Sequence, residues 1–183
     1  MPDHPSILDV GCGYGRTLMQ LDQAGLKNLH GCDYSTKMIE QARKKLPNAE
    51  FKINKGVKLP YEDSSFDAVI LMAVLTSIID NELQARLLSE ISRVLTDNGL
   101  IYVGDFLLNE DQRNLDRYDK GLAINNTYGV FKLEEGAILR HHDPDYIAAI
   151  LGGFFAVDFQ FVTHKTMNGN ISNGFFFLGE NCK

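Results

Sequence analysis

The chain has 183 residues, 44% of them hydrophobic and 23% charged, with a formal net charge of -6. That length suits one domain with a full hydrophobic core and is cramped for two. The acidic balance argues against a broad nucleic-acid or anionic-membrane footprint, because both need clustered Lys and Arg.

Residues 1–5 run straight into a strand-like segment without a basic, apolar leader, and no apolar run reaches the ~20 residues of a membrane span. Ser6-Ile7-Leu8-Asp9-Val10 predicts a short buried strand ending at Gly11. A helix is expected from about Arg16, with Leu18, Leu21 and Ala24 on one side and Gly25 as its stop. Residues 29–32 make a second strand, and Ser35 is a good N-cap for a helix carrying Met38, Ile39, Ala42 and Leu46. Pro47 ends that helix, and alternation over 49–53 predicts a third strand. Residues 66–72 are almost wholly apolar, as suits a central parallel strand covered on both faces. Asp80 can cap the next helix, in which Leu83, Leu87, Ile91 and Val94 keep helical spacing. Asn98-Gly99 is its expected end, before a fifth strand over 100–103. Strands alternating with helices predict a doubly wound α/β sheet with helices on both faces.

The last third changes character. Residues 106–129 are polar and irregular, with a helical hint over 112–118. Residues 130–133 and 137–141 flank Glu135-Gly136 as a small hairpin. Asp143-Pro144 pairs an N-cap with proline at the first helical position, so 145–151 should be helical, up to Gly152-Gly153. Two long strands follow over 154–163 and 172–178, joined by a turn at Asn168-Gly169 and therefore antiparallel to each other. His164, at the end of the first of them, is expected to be structural. One domain over 1–183 is expected, with 106–142 as a substrate-side insertion or lid.

Cys12, Cys32 and Cys182 are odd in number and lack metal-like spacing, so free thiols in a reducing, cytoplasmic setting are expected. Asp105 follows the fifth strand without companions at ligand spacing, and no metal is expected. The basic stretch Lys37, Arg43, Lys44, Lys45, Lys52, Lys55 and Lys58 is interrupted by Glu40 and Glu50 and reads as a solvated face.

The chemistry concentrates in Leu8-Asp9-Val10-Gly11-Cys12-Gly13-Tyr14-Gly15. Alternating glycines between a strand and a helix let the backbone turn tightly and approach a ligand without Cβ clashes. Asp33 ends the next strand roughly 20 residues on, where nucleotide-binding α/β folds place the group that grips ribose hydroxyls. A carboxylate is apt there because it accepts two hydrogen bonds from a vicinal diol. A dinucleotide fingerprint would put its third glycine at position 16, which is Arg16. That mismatch counts against NAD and suits a ligand without a pyrophosphate, such as S-adenosylmethionine.

Residues 7 to about 103 resemble the class I S-adenosylmethionine-dependent methyltransferases, especially the broad group acting on small molecules. Ile7 to Gly15 follow that family's first motif, and Gly31-Cys32-Asp33-Tyr34-Ser35, with Met38 three residues on, follows its second-strand motif. Leu59-Pro60-Tyr61-Glu62-Asp63-Ser64-Ser65-Phe66-Asp67 is similar to the segment before strand four, and Arg93-Val94-Leu95 with Asn98-Gly99 to the turn before strand five. The resemblance implies a mostly parallel, seven-stranded Rossmann-like sheet with an antiparallel C-terminal edge strand, and S-adenosylmethionine as cofactor. It implies that Asp9 orients the glycine loop and the cofactor's amino group, that Gly11, Cys12, Gly13 and Gly15 form the methionine cradle, and that Asp33 holds the ribose. Tyr34 and Met38 would pack near adenine, and Met72 would close the cleft.

Three departures stand out. Lys55, between Asn54 and Gly56, occupies the place where relatives often face the adenine amino group with an acid. Thr76-Ser77 replaces a histidine pair. The chain also starts almost at strand one, so cover for the cofactor is expected from residues 106–142 or a partner, unless this is a fragment. The expected acceptor is a small molecule rather than nucleic acid or membrane. The alternatives are a non-catalytic cofactor-binding module and a nucleic-acid or protein methyltransferase. The Arg140-His141-His142 cluster offers a group of suitable pKa to deprotonate an acceptor, against the plainer reading of a strand end. Tyr118 and Tyr128 are the candidate substrate walls.

Overall fold

A computed structural model describes residues 2–165 and 169–183, apart from the side chain of His164. The expected turn at Asn168 and the role of the His164 side chain therefore fall outside the described residues. The apolar runs extend as β1 (Ile7–Val10), β2 (Leu29–Asp33), β3 (Glu50–Ile53), β4 (Phe66–Met72) and β5 (Leu95–Phe106). The helices α1 (Arg16–Gln23), α2 (Thr36–Lys45) and α3 (Asn81–Val94) separate them. The remainder folds as α4 (Gln112–Asn125), β6 (Val130–Lys132), β7 (Ile138–Arg140), α5 (Pro144–Leu151), β8 (Phe155–Lys165) and β9 (Ile171–Glu180).

Seven strands form one sheet in the order β3-β2-β1-β4-β5-β9-β8, and β6 and β7 form a separate hairpin. β1 to β5 are mutually parallel. β9 runs antiparallel to both neighbours, one place in from the edge, and β8 lies outside it. Alternation along β1 and β4 sends Leu8, Val10, Val69 and Leu71 to one face, where they pack with Leu87 and Ile91 of α3 and Ile147 and Leu151 of α5. Ile7, Ala68 and Ile70 point the other way, onto Leu18 of α1 and Ile39 and Ala42 of α2. Helices thus cover both faces of the central strands, which is why these runs are apolar throughout.

Local chemistry starts the helices where the sequence suggests. Ser35, Asp80 and Asp143 each accept a backbone N–H of the first turn, worth about 1 kcal/mol apiece. The end of α3 differs from expectation: it stops at Val94, before Asn98-Gly99. The side chain of Asn181 donates to the carbonyls of Ser92 and Thr96 and accepts from the Ser92 hydroxyl, replacing further helical turns with a contact to the C-terminal segment. The chain from Leu95 onward joins β5 instead, with a register irregularity opposite it between Phe66 and Ala68.

The polar stretch after β5 is more ordered than its composition suggests. The helical hint over 112–118 becomes the whole of α4, capped by Asp111 and ended by Asn126 in the left-handed conformation. α4 packs against β6 so closely that a Cβ on Gly121 would sit 1.7 Å from the Val130 carbonyl oxygen. The unit is tied back to β5 where Leu108 N–H donates to His142 and His142 N–H donates to Phe106.

Candidate functional site

The chain leaves β1 at the point where connections diverge, to β2 on one side and past β4 on the other. Doubly wound sheets leave a crevice at such a switch point, beyond the C-terminal ends of their strands. Gly11 and Gly13, with φ of 72° and 55°, make the turn that follows β1. The Gly11 and Cys12 amides both donate to the Cys32 carbonyl, which fastens the turn to β2. Asp33, at the end of β2, accepts the Gly13 amide at 2.9 Å and the Ser35 amide at 2.8 Å. Each carboxylate oxygen keeps further acceptor capacity for a ligand hydroxyl.

A cavity of about 830 Å³ opens above this turn. Of the residues singled out from sequence, it is lined by Gly11, Asp33, Tyr34, Asn54, Lys55 and Gly56. No neighbouring atom lies within 4 Å of where a Gly13 Cβ would stand, so the turn presents bare backbone there. Asp9 lies beneath the turn, 2% exposed. Burial first, then the charge of Asp33, lifts its carboxyl to about 7, with Arg16 opposing.

The other expected residues sit elsewhere. Cys12 turns its thiol into the core against Gly31, and burial raises its pKa. Gly15 supports the start of α1 over Ala42 and Phe51. Met38 is partly exposed in the first turn of α2 and off the cavity wall. Met72 does not close the cleft. Strand alternation points it to the α1–α2 face, with its methyl beside Gly104. The wall comes from the residues just after it, Ala73, Val74 and 77–80. Ala73 adopts φ 54° and turns the chain toward the glycine loop, so a Gly11 Cβ would meet Val74 Cγ2 at 2.5 Å. Val57, Leu83 and Leu87 complete an apolar side that sequence reasoning missed. The only signal for it was the apolar residues on the first turns of α3.

His141 and His142 are neither solvated nor on the cavity wall; both are buried. Tyr118, fully buried, approaches His141 Nδ1 at 2.7 Å through its hydroxyl, and the Asn109 amide group lies 3.2 Å from the same nitrogen. Burial, reinforced by Arg117, lowers His141 to about 3. His142 lies against Gln84 and the Phe106 carbonyl, and burial with Arg140 lowers it to about 4. The expectation of a base at His141 or His142 finds no support in this geometry, because both rings are buried and neither lines the cavity. Tyr118 packs inside the α4–hairpin unit, and Tyr128 is a partly exposed ring against it. No residue of 106–142 lines the cavity.

Known proteins share much of this chain's sequence and fold. A family model described as "Methyltransferase domain" matches residues 8–103, just over half of the chain. The chain is 28% identical over 129 residues to a probable tRNA methyltransferase 9B of Bos taurus, covering 70% of this chain and 27% of that protein. It is 30% identical over 110 residues to the ubiquinone/menaquinone biosynthesis C-methyltransferase UbiE of Campylobacter jejuni, covering 57% of this chain and 46% of that one. It thus spans less than half the length of either curated relative. A solved S-adenosylmethionine-dependent methyltransferase from Methanosarcina mazei superposes with a TM-score of 0.91 at 26% identity, covering 100% of this chain and 94% of its own.

Proposed function

Because this chain belongs to the methyltransferase-domain family, of the class I S-adenosylmethionine-dependent type, we propose that it transfers a methyl group from S-adenosylmethionine to a small-molecule acceptor. The observation that carries the reading is the bare backbone at Gly13 hydrogen-bonded to Asp33, on the turn whose Gly11 joins Asp33 in lining one cavity with Asn54, Lys55 and Gly56. Asp33 fits the ligand as a carboxylate with spare acceptor sites for a ribose diol, and Asp9, buried beneath the turn and off the cavity wall, acts on a ligand ammonium through its charge rather than by contact. When bound, S-adenosylmethionine supplies a methyl group already activated by its sulfonium. The chain then has to hold donor and acceptor in line and keep water out, the contribution that positioning makes. Val57, Val74, Leu83 and Leu87 give the cavity an apolar side suited to excluding water.

The test is direct. S-adenosylmethionine and S-adenosylhomocysteine should raise the melting temperature by mass action on the native state, and NAD should not. Label from the methyl group should then appear in a small molecule of a cell extract, identified by mass spectrometry. Stabilisation by NAD alone would overturn the reading.

A nucleic-acid acceptor is the second reading, favoured by the tRNA methyltransferase name of one relative. Against it, part of the basic stretch is engaged within the fold. Arg43 donates to the Phe51 carbonyl, Lys52 to that of Pro60, and Lys45 covers the Tyr14 ring. Salt-dependent retention on RNA would favour this second reading.

Asp9 gives the binding a pH signature. Burial, with the charge of Asp33, lifts its carboxyl to about 7, and the charge of a ligand ammonium in the cavity favours the ionised form. The proton-bound state must therefore release its proton on binding. Affinity should be constant above about pH 7.5 and fall by up to about tenfold per unit below about 7. Calorimetry with S-adenosylhomocysteine across this range should show it, and Asp9→Asn should flatten the profile.

A further inference from the structure

The wall of the cleft opposite the glycine loop, residues 73–80, is neither helix nor strand except for one 3-10 turn, Leu75–Ser77. A segment of this kind holds a shape only if its backbone groups are satisfied from outside. The groups that satisfy it converge from three elements and are buried. From β5, Asp105 accepts the Thr76 amide through one carboxylate oxygen at 3.1 Å and the Phe106 amide through the other at 2.8 Å. From α3, Gln84 donates through Nε2 to the carbonyls of Leu75 and Ile78. From the end of β7, the Arg140 carbonyl accepts the Thr76 hydroxyl at 2.8 Å, and the Arg140 guanidinium donates to Ile79 and Asn81.

Gln84 is itself held on both sides. Its Oε1 accepts the Tyr146 hydroxyl at 2.9 Å, and its Nε2 lies 2.9 Å from His142 Nε2. With its proton on Nδ1 facing the Phe106 carbonyl at 3.3 Å, His142 leaves Nε2 as an acceptor that shares the two Gln84 amide protons with the Leu75 and Ile78 carbonyls. The depressed imidazole pKa agrees with this neutral form. His142 thus has a place in the site's architecture without touching the cavity.

We propose that Asp105, Gln84 and Arg140 are positioning residues: they clamp the 73–80 segment from β5, α3 and β7, the last through the Thr76 hydroxyl, and so set the shape of the cleft wall that faces Gly11. The inference rests on the reading of the cleft as the S-adenosylmethionine site. It also gives the 106–142 segment a part in the site, since Arg140 contacts Thr76 and Ile79 of the cavity wall segment. A carboxylate buried this deeply costs stability on its own account, since burial lifts Asp105 to about 7 against four backbone amides. Its retention is accounted for by the turn it caps.

The experiment compares Asp105→Asn and Gln84→Met with wild type. Asparagine keeps the shape of Asp105 but turns an NH2 toward an amide donor, and methionine removes both donations from Gln84. Asp67→Asn is the control: Asp67 accepts the Ser6 amide at 2.8 Å, at the opposite end of β4 from the cavity. Binding of S-adenosylhomocysteine is measured by calorimetry at about pH 8, where Asp105 is ionised, beside the melting temperature of each variant. The expected result is a dissociation constant raised about tenfold or more in both clamp variants and unchanged in the control, the scale of a lost hydrogen bond to a charged group. Should either clamp variant fail to fold, Thr76→Val reads the same wall by removing only the bond to Arg140. Wild-type affinity in every clamp variant that folds overturns the proposal, even where its melting temperature falls. Absence of binding by wild type itself would instead defeat the cofactor reading, and this inference with it.

Discussion

Replacing Gly13 with valine is expected to abolish binding of S-adenosylmethionine and S-adenosylhomocysteine while leaving the chain folded. Gly13 has φ 55°, a conformation that costs an ordinary residue about 1–2 kcal/mol and a β-branched one more. Nothing lies within 4 Å of its added Cβ, so the steric cost to the fold is small, while the branched side chain stands on the turn whose Gly11 and Asp33 line the cavity. The strain also bears on the Gly13 amide that Asp33 accepts. A loss of more than about 100-fold in affinity is expected, equivalent to about 3 kcal/mol. Calorimetry reads the affinity, and circular dichroism checks that the fold persists. Wild-type affinity in a folded Gly13→Val chain would move the site away from this turn.

Gly121→Ala should have the largest effect on stability. The added methyl would stand 1.7 Å from the Val130 carbonyl oxygen; the helix backbone fixes the methyl and the oxygen is itself backbone, so neither can rotate aside. α4 must separate from the β6–β7 hairpin or the hairpin must shift, and fully buried Tyr118 and Phe131 would be disturbed with them. Overpacking of this kind costs roughly 3 kcal/mol or more, a drop of about 6–12 °C in melting temperature for a chain of this length. A melting curve within about 2 °C of wild type would show that α4 does not approach the hairpin this closely.

Much of this molecule is legible in its sequence because the relevant information is local. Apolar runs bounded by turn residues mark the five parallel strands. Ser35, Asp80 and Asp143 mark helix starts because a short oxygen-bearing side chain suits only the first turn. Gly11 and Asp33 mark the cavity because a tight glycine turn followed by a carboxylate at the next strand end is a local pattern, and both residues line it. Asn54, Lys55 and Gly56 were placed by resemblance, and they line the cavity.

Tertiary structure decided what depends on partners distant in sequence. Met72 and Ala73 are neighbours, yet only the latter reaches the cavity, because strand alternation buries one side chain and a left-handed backbone turns the next residue over Gly11. The histidine pair looked like a titratable group at a strand end. Packing of α4 and the hairpin around His141, and of Gln84 and Tyr146 around His142, removes both rings from water, so desolvation depresses their pKa values and hydrogen bonds commit their nitrogens to the interior. Asp105 looked like a bare acid after β5, and its role exists only because a turn from another strand brings the Thr76 amide to it. Composition and spacing specify what a residue can do chemically; burial and neighbours select which of those capacities is used, and both are set by long-range contacts that no local pattern encodes.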